Sequence, residues 1–201
     1  MEDYLILIPV AYVLGSIPFG VYIGRIFGGI DVREYGSGNI GMTNVLRAVG
    51  LPAAIIVLVL DMSKAIIVVI IARILSNSYT LEALSAVTVL IGHSWSVFSG
   101  FRGGKSTASG YGALFALSPI SGTVASIVGI SLIIFTRYVS LGSIVAAILG
   151  CGTLIVLSVT GNVPFEYIWF GLIGGPIVVI RHKDNISRLL NGEERKIGQK
   201  T

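Results

Sequence analysis

The chain has 201 residues, of which 54% are hydrophobic and 12% charged, about half the roughly 25% charge of an ordinary soluble domain. A water-soluble core of this length has no room for so much apolar surface, whereas a bilayer accepts it. The net charge is +4, and six of the 14 Lys and Arg crowd the last 21 residues (Arg181, Lys183, Arg188, Arg195, Lys196 and Lys200), a placement that fits the positive-inside bias of membrane proteins and argues against nucleic acid.

Apolar stretches run roughly over 4–27, 49–75, 81–99, 106–135, 138–160 and 163–180, against the roughly 20 residues that one span needs. The first follows Met1-Glu2-Asp3, which lacks the basic start of a signal peptide, so it is expected to remain as a span. Gly20, Gly24 and Gly28 lie four apart on it and read as a ladder for close helix approach. In the second helix Asp61 and Lys64 are three apart and are expected to pair or face a polar cavity. The fourth stretch is too long for one span, and Ser118-Pro119 divides it into helices near 106–117 and 120–135. Cys151, the single cysteine, reads as a packing residue.

The expected fold is all-α: a polytopic membrane bundle of seven transmembrane helices, with the N-terminus outside and the C-terminus cytoplasmic. It forms one domain over 1–201, with 181–201 as a cytoplasmic tail. Seven spans place segments 28–48, 99–105, 136–138 and the tail on one side, with Arg33, Arg47, Arg102, Lys105 and Arg137. The opposite connections near 76–80, 118–119 and 160–163 contain no Lys or Arg. Residues 184–197 are expected to form a short helix against the anionic inner leaflet.

Three segments of the basic side carry candidate chemistry. The first runs from Glu34 to Arg47, where glycines leave backbone N–H groups accessible, Ser37, Asn39, Thr43 and Asn44 add neutral donors, and Arg47 offers a two-pronged phosphate contact. The second runs from Gly92 to Thr107, and its Gly103-Gly104-Lys105 at a helix start reads as an anion site. It misses the nucleotide P-loop because Ser99 stands where the first glycine belongs. His93 reads as a satisfied interfacial histidine, an orienting donor or a proton carrier. The third is Arg181-His182-Lys183-Asp184-Asn185-Ile186, with Ser140 and Ser143 entering a helix from the same side. Together they point to a phosphate-bearing substrate meeting a lipid-soluble one.

These segments closely resemble the bacterial acyl-phosphate:glycerol-3-phosphate acyltransferase family. The likeness rests on Gly15-Ser16-Ile17-Pro18-Phe19-Gly20, the Gly36-to-Arg47 loop, Asp61 to Lys64, Gly92-His93, Phe98, Gly103-Gly104-Lys105, Arg181 to Asn185 and Arg188-Leu189-Leu190-Asn191-Gly192. The resemblance implies seven helices and acyl transfer from a fatty acyl phosphate to the 1-hydroxyl of glycerol-3-phosphate, with no cofactor, no metal and no obligate protein partner. By position it implies Ser37, Arg47, Lys105, His182 and Asn185 as catalytic. Gly38, Asn39, Thr43, Asn44, His93, Gly103, Gly104 and Ser143 follow as substrate-binding. It also implies a site on the cytoplasmic face of the cell's inner membrane. The chain departs from the family pattern at Ser96, Ala65 and Ser106, where the family carries proline, glycine and glycine. The competing reading is a transporter or flippase of a phosphorylated metabolite, with Asp61 and Lys64 carrying the coupling.

Overall fold

In lipid, a backbone segment must satisfy its own hydrogen bonds, so long apolar runs become helices. The computed structural model describes residues 2–199, leaving Met1, Lys200 and Thr201 outside, and contains helices but no strand among the described residues. In chain order the helices are α1 (Glu2–Ser16), α2 (Phe19–Gly28), α3 (Met42–Ala48), α4 (Leu51–Leu75), α5 (Tyr79–Ser94), α6 (Thr107–Leu117), α7 (Pro119–Thr136), α8 (Val139–Val159), α9 (Ile168–Arg181) and α10 (Lys183–Leu190). Large apolar side chains cover the outside, among them Ile26, Ile74 and Phe135, while Ser16, Ser85, Ser94, Ser109 and Ser121 are buried. This reverses the soluble pattern and suits helices that pack in lipid through small and hydroxyl side chains.

Five stretches are long and apolar enough to cross a membrane: Glu2–Gly28, Leu51–Leu75, Tyr79–Ser99, Pro119–Thr136 and Val139–Val159. The remaining two apolar runs form α6 and α9, of 11 and 14 residues, shorter than the roughly 20 of a full span. The division at Ser118-Pro119 falls where the sequence places it. Pro119 begins α7, and the Ser118 hydroxyl accepts from the Ser121 N–H at 3.3 Å.

The first apolar run is not one helix. Pro18 interrupts it, and the carbonyls left free there are taken up from outside: Ser96 Oγ donates to the Ser16 carbonyl and Lys64 Nζ to that of Ile17. Ser96 thus closes the break in α1–α2. The glycine ladder also serves a different neighbour. A Cβ on Gly20 would strike the Ile40 carbonyl, on Gly24 the Val32 side chain and on Gly28 that of Val49, so the glycine face of α2 packs against the 30–49 segment.

Asp61 and Lys64 do pair, Oδ1 to Nζ at 2.8 Å with both side chains buried, and His93 Nδ1 joins them at 2.7 Å from Lys64 Nζ. Lys64→Met is expected to destabilise the fold by about 3–5 kcal/mol because it leaves a buried carboxylate without its cation. The melting temperature in detergent should fall accordingly, and the Asp61→Leu/Lys64→Met double variant should lose much less.

Hydrogen bonds fix which segments share an end of the bundle. At one end, Tyr4 meets Ser78 at 2.7 Å, while Arg73 bonds Glu82 and the Ala116 carbonyl and Tyr167 donates to Glu82. At the other, Arg137 and Ile197 exchange two bonds, each of 2.8 Å.

Candidate active site

The 30–49 segment folds around Asn44. Its Oδ1 accepts from the Ser37 N–H at 2.8 Å and the Ser37 hydroxyl at 3.2 Å, while Nδ2 donates to the Val32 and Tyr35 carbonyls at 2.8 and 3.1 Å. All of its amide serves the loop, which accounts for the buried side chain. Gly38, at φ +68°, turns the chain in left-handed geometry that a side chain resists. Ser37, Gly38 and Asn39 thereby line a water-open groove together with Phe98, Arg102, Gly103 and Arg181. Asn39 Oδ1 accepts from the Gly41 N–H at 2.9 Å. Thr43 and Arg47 lie four residues apart on α3, and hence on one face. Arg47 makes no hydrogen bond among the described residues. Burial and the nearby Arg195 and Arg188 push its guanidinium below the usual range against the pull of Glu194.

Gly103 and Gly104 do not offer their N–H groups to a ligand as the sequence suggested. The chain doubles back, so Gly103 N–H donates to the Ser94 carbonyl at 3.2 Å and Gly104 N–H to the His93 carbonyl at 2.9 Å. Arg181, stacked over Trp95 at 5.5 Å, donates to the Gly104 and Gly103 carbonyls at 3.0 and 3.1 Å. A Cβ on Gly104 would run into His93 Nε2. The two glycines therefore seat Lys105 by close packing, and His93 is the buried surface they rest on. Ser106 holds φ +58°. Its hydroxyl donates to the Leu90 carbonyl at 2.8 Å and lies 2.7 Å from Ser94 Oγ, turned away from the groove.

Lys105 Nζ donates to Asn185 Oδ1. Burial first, then Arg188 and Arg47, push its ammonium down to about 8 against the opposing Glu194 and Asp184. His182 ends α9 with 3% exposure, its Nδ1 2.8 Å from the Val178 carbonyl. A carbonyl only accepts, so Nδ1 carries the proton and Nε2 presents a lone pair. Burial, aided by Lys105 and Arg181, pushes the imidazole down to about 4, so it is neutral at physiological pH.

Glu194 is the residue the sequence did not reveal. It accepts from Ser140 Oγ at 2.7 Å, Asn185 Nδ2 at 2.6 Å and Arg188 Nε at 2.8 Å. Although burial raises it, these bonds hold its carboxyl below the ordinary range. An acid within a basic tail reads as solvated, and only the tail's return to the bundle places it here. Arg188 carried a signal, since Asn185 and Arg188 stand i and i+3 on α10.

The structure thus gathers Arg47, Lys105, His182 and Asn185 at one end of the bundle. Ser143 lines an apolar cavity between α6, α8 and α9, and Ser37, Gly38 and Asn39 line the adjoining groove. Asn44 and His93 lie inside the supporting scaffold. Among the described residues no cluster of three or more His, Cys, Asp or Glu could hold a metal ion.

A helical membrane bundle with a cationic end, a neutral imidazole and an adjacent apolar cavity defines a protein that handles an anionic group and an alkyl chain at one place. The glycerol-3-phosphate acyltransferase family model matches residues 5–192, and the chain belongs to that family. It is 43% identical to the glycerol-3-phosphate acyltransferase of Desulforamulus reducens, over 94% of this chain and 93% of that one. With its counterpart in Synechocystis sp. it shares 42% identity over 98% of this chain and 91% of the relative. Its fold matches the crystal structure of PlsY (YgiH), an integral membrane glycerol 3-phosphate acyltransferase, in the glycerol 3-phosphate form. That match has a TM-score of 0.90 at 36% identity and covers 98% of this chain and 96% of that one. The lysophosphatidic acid form of the same protein matches with a TM-score of 0.88.

Proposed function

We propose that this glycerol-3-phosphate acyltransferase takes its acyl group from a fatty acyl phosphate and makes lysophosphatidic acid at the cytoplasmic face of the cell's inner membrane. The observation that carries this reading is the convergence of Arg47, Lys105, His182 and Asn185 beside an apolar cavity. Two anionic reactants repel each other, and the cations offset that repulsion. The cavity receives the alkyl chain.

In the reaction, the 1-hydroxyl oxygen attacks the acyl carbonyl carbon, and the bond from that carbon to the phosphate oxygen breaks. Its two electrons leave with phosphate, which takes up the hydroxyl proton. The donor is already activated, so no covalent enzyme intermediate is required. Placing two reactants in attack geometry supplies roughly 7–11 kcal/mol. His182 accepts a hydrogen bond from the glycerol-3-phosphate backbone through Nε2 and so orients the acceptor without taking the reacting proton, a task that buried His93 is not placed to share. Lys105, with Arg47 and Asn185, stabilises charge gathering on the leaving phosphate. The Gly103 and Gly104 N–H groups take no part, since their bonds are already made.

Seven crossings fit the same picture, with α6 and α9 as the two short ones. Arg47, Lys105, Arg137 and Ile197 then fall on one side and Tyr4, Arg73 and Tyr167 on the other, in keeping with their contacts. The positive-inside bias makes the first side cytoplasmic, leaving the N-terminus outside.

The test is product formation by purified protein from glycerol-3-phosphate with palmitoyl phosphate or palmitoyl-CoA as donor. Lysophosphatidic acid from the phosphate alone is expected, and product from the thioester alone would overturn the donor assignment. A pH series adds a second check. Lys105 is lowered to about 8, so its charge is present below that pH and disappears above it. KM for the phosphate substrates is expected to rise as pH climbs through 8, whereas kcat at saturation should decline later, because a bound anion returns the ammonium toward its ordinary value.

A further inference from the structure

Helix α5 is held between α1, α4 and α9, and one side of it stays uncovered. From Leu81 to Ser96 every residue is buried except Leu84, Thr88, Ile91 and Trp95, which follow one another at intervals of four, three and four. That spacing is a single face of a helix. In a membrane span such a face is a seam open to lipid. At its end the seam runs into Val97, Phe98 and Phe101, which are 44%, 54% and 61% exposed. The loop that carries them closes its own backbone. Ser99 N–H and Phe101 N–H donate to the Ser96 carbonyl at 3.1 and 2.8 Å, and Arg102 N–H to that of Ser99 at 3.1 Å. A loop satisfied in this way can lie among headgroups and acyl chains without stranding polar backbone. Phe101 holds φ +62°, a left-handed geometry that bulky residues resist, and carries its ring to the outside.

The polar side of the loop is also unengaged. Arg102 is exposed, and its guanidinium has no hydrogen bond or ion pair among the described residues. The Ser99 hydroxyl is buried without a partner. Both line the groove, where Arg33 is paired with Asp31 and Arg181 with the Gly103 and Gly104 carbonyls. Arg33, Arg102 and Arg181 against Asp31 and Glu34 leave the lining one positive charge in excess.

We propose that the loop over residues 97–102 docks one anionic diacyl phospholipid, separate from the two substrates. Its phosphate meets Arg102 and the Ser99 hydroxyl, and its chains cross Phe98 and Phe101 and follow the seam of α5. From Trp95 to Leu84 the seam covers about 16 Å at about 1.5 Å per residue. One leaflet of hydrocarbon is half of roughly 30 Å, so headgroup and chain contacts lie a lipid's length apart. The exposed rings decide for a lipid over free phosphate, since they offer an inorganic anion nothing. The loop continues into Gly103, Gly104 and Lys105, so the docked lipid borders the active site.

The test uses the full chain in nanodiscs. Trp95 lies at the top of the seam, and Trp169→Phe removes the only other tryptophan. Phosphatidylglycerol brominated along its chains should be enriched about fivefold at Trp95 over equally brominated phosphatidylcholine, the preference that one surface Arg gives an anionic headgroup. Fluorescence quenching reads the enrichment. Arg102→Gln should abolish it without changing the thermal melt, and Phe98→Ala/Phe101→Ala should reduce quenching by both lipids.

Those three results together support the site. Equal quenching by both lipids in the Trp169→Phe protein overturns it, as does a preference that survives Arg102→Gln. Loss of the preference to inorganic phosphate at constant ionic strength overturns the lipid as occupant. If the double variant does not fold, the Arg102→Gln comparison decides, because that side chain is exposed. No readout here uses turnover, so failure of the donor assignment would leave the lipid site standing.

Discussion

Replacement of Lys105 by alanine is expected to lower kcat/KM about 10³-fold, with the fold intact. Lys105 touches Asn185 and shares its surroundings with Arg47, Arg188 and Glu194, and in the proposed reaction its ammonium meets the phosphate charge. Removing a positioned donor of this kind costs about 10²–10³ in kcat. Losing a desolvated cation weakens anion binding as well. Lys105→Arg should recover part of the binding and little of kcat, because the planar guanidinium does not reproduce a point charge seated on Gly104. Initial rates over a grid of both substrates separate the two effects, and an alanine variant that keeps wild-type kcat/KM would remove Lys105 from the site.

The second large effect is expected at His182. His182→Ala should reduce kcat about 10²-fold while changing KM for either substrate little, since a neutral imidazole adds orientation rather than charge. His182→Asn, which retains polarity without the ring's reach, should remain near the alanine value. His93→Ala should act differently, lowering thermal stability by loosening the Asp61–Lys64 group and the seat of Gly104. Thermal melts alongside steady-state kinetics distinguish the two histidines, and equal kinetic loss from both would remove the separation of their roles.

Much of the bundle can be read from hydrophobicity and charge alone. The break at Ser118-Pro119 is legible because the run around it exceeds one span. The break at Pro18 is not, because the run around it fits a single span and gives no reason to divide it. Asp61 and Lys64 announce each other by their helical spacing, whereas His93, 29 residues beyond Lys64, joins them only through the packing of α4 against α5. Among candidate site residues, the cations Arg47 and Lys105 can be sought together with His182 and Asn185 at one end of the bundle because charge biases topology. The duties of Asn44, Gly103 and Gly104 escape the sequence for a shared reason. The Asn44 amide and the two glycine N–H groups face partners within their own folded segments, and one-dimensional spacing cannot tell an internal hydrogen bond from one reserved for a ligand.

The return of the tail sets an order of events during synthesis. Arg47 leaves the ribosome early, but Glu194, which joins Ser140, Asn185 and Arg188, comes after every helix of the bundle. A nascent chain threaded only as far as α9 still lacks Asn185, Arg188 and Glu194, so the hydrogen bonds that tie Ser140, Asn185 and Arg188 to Glu194 are the last to close around Lys105.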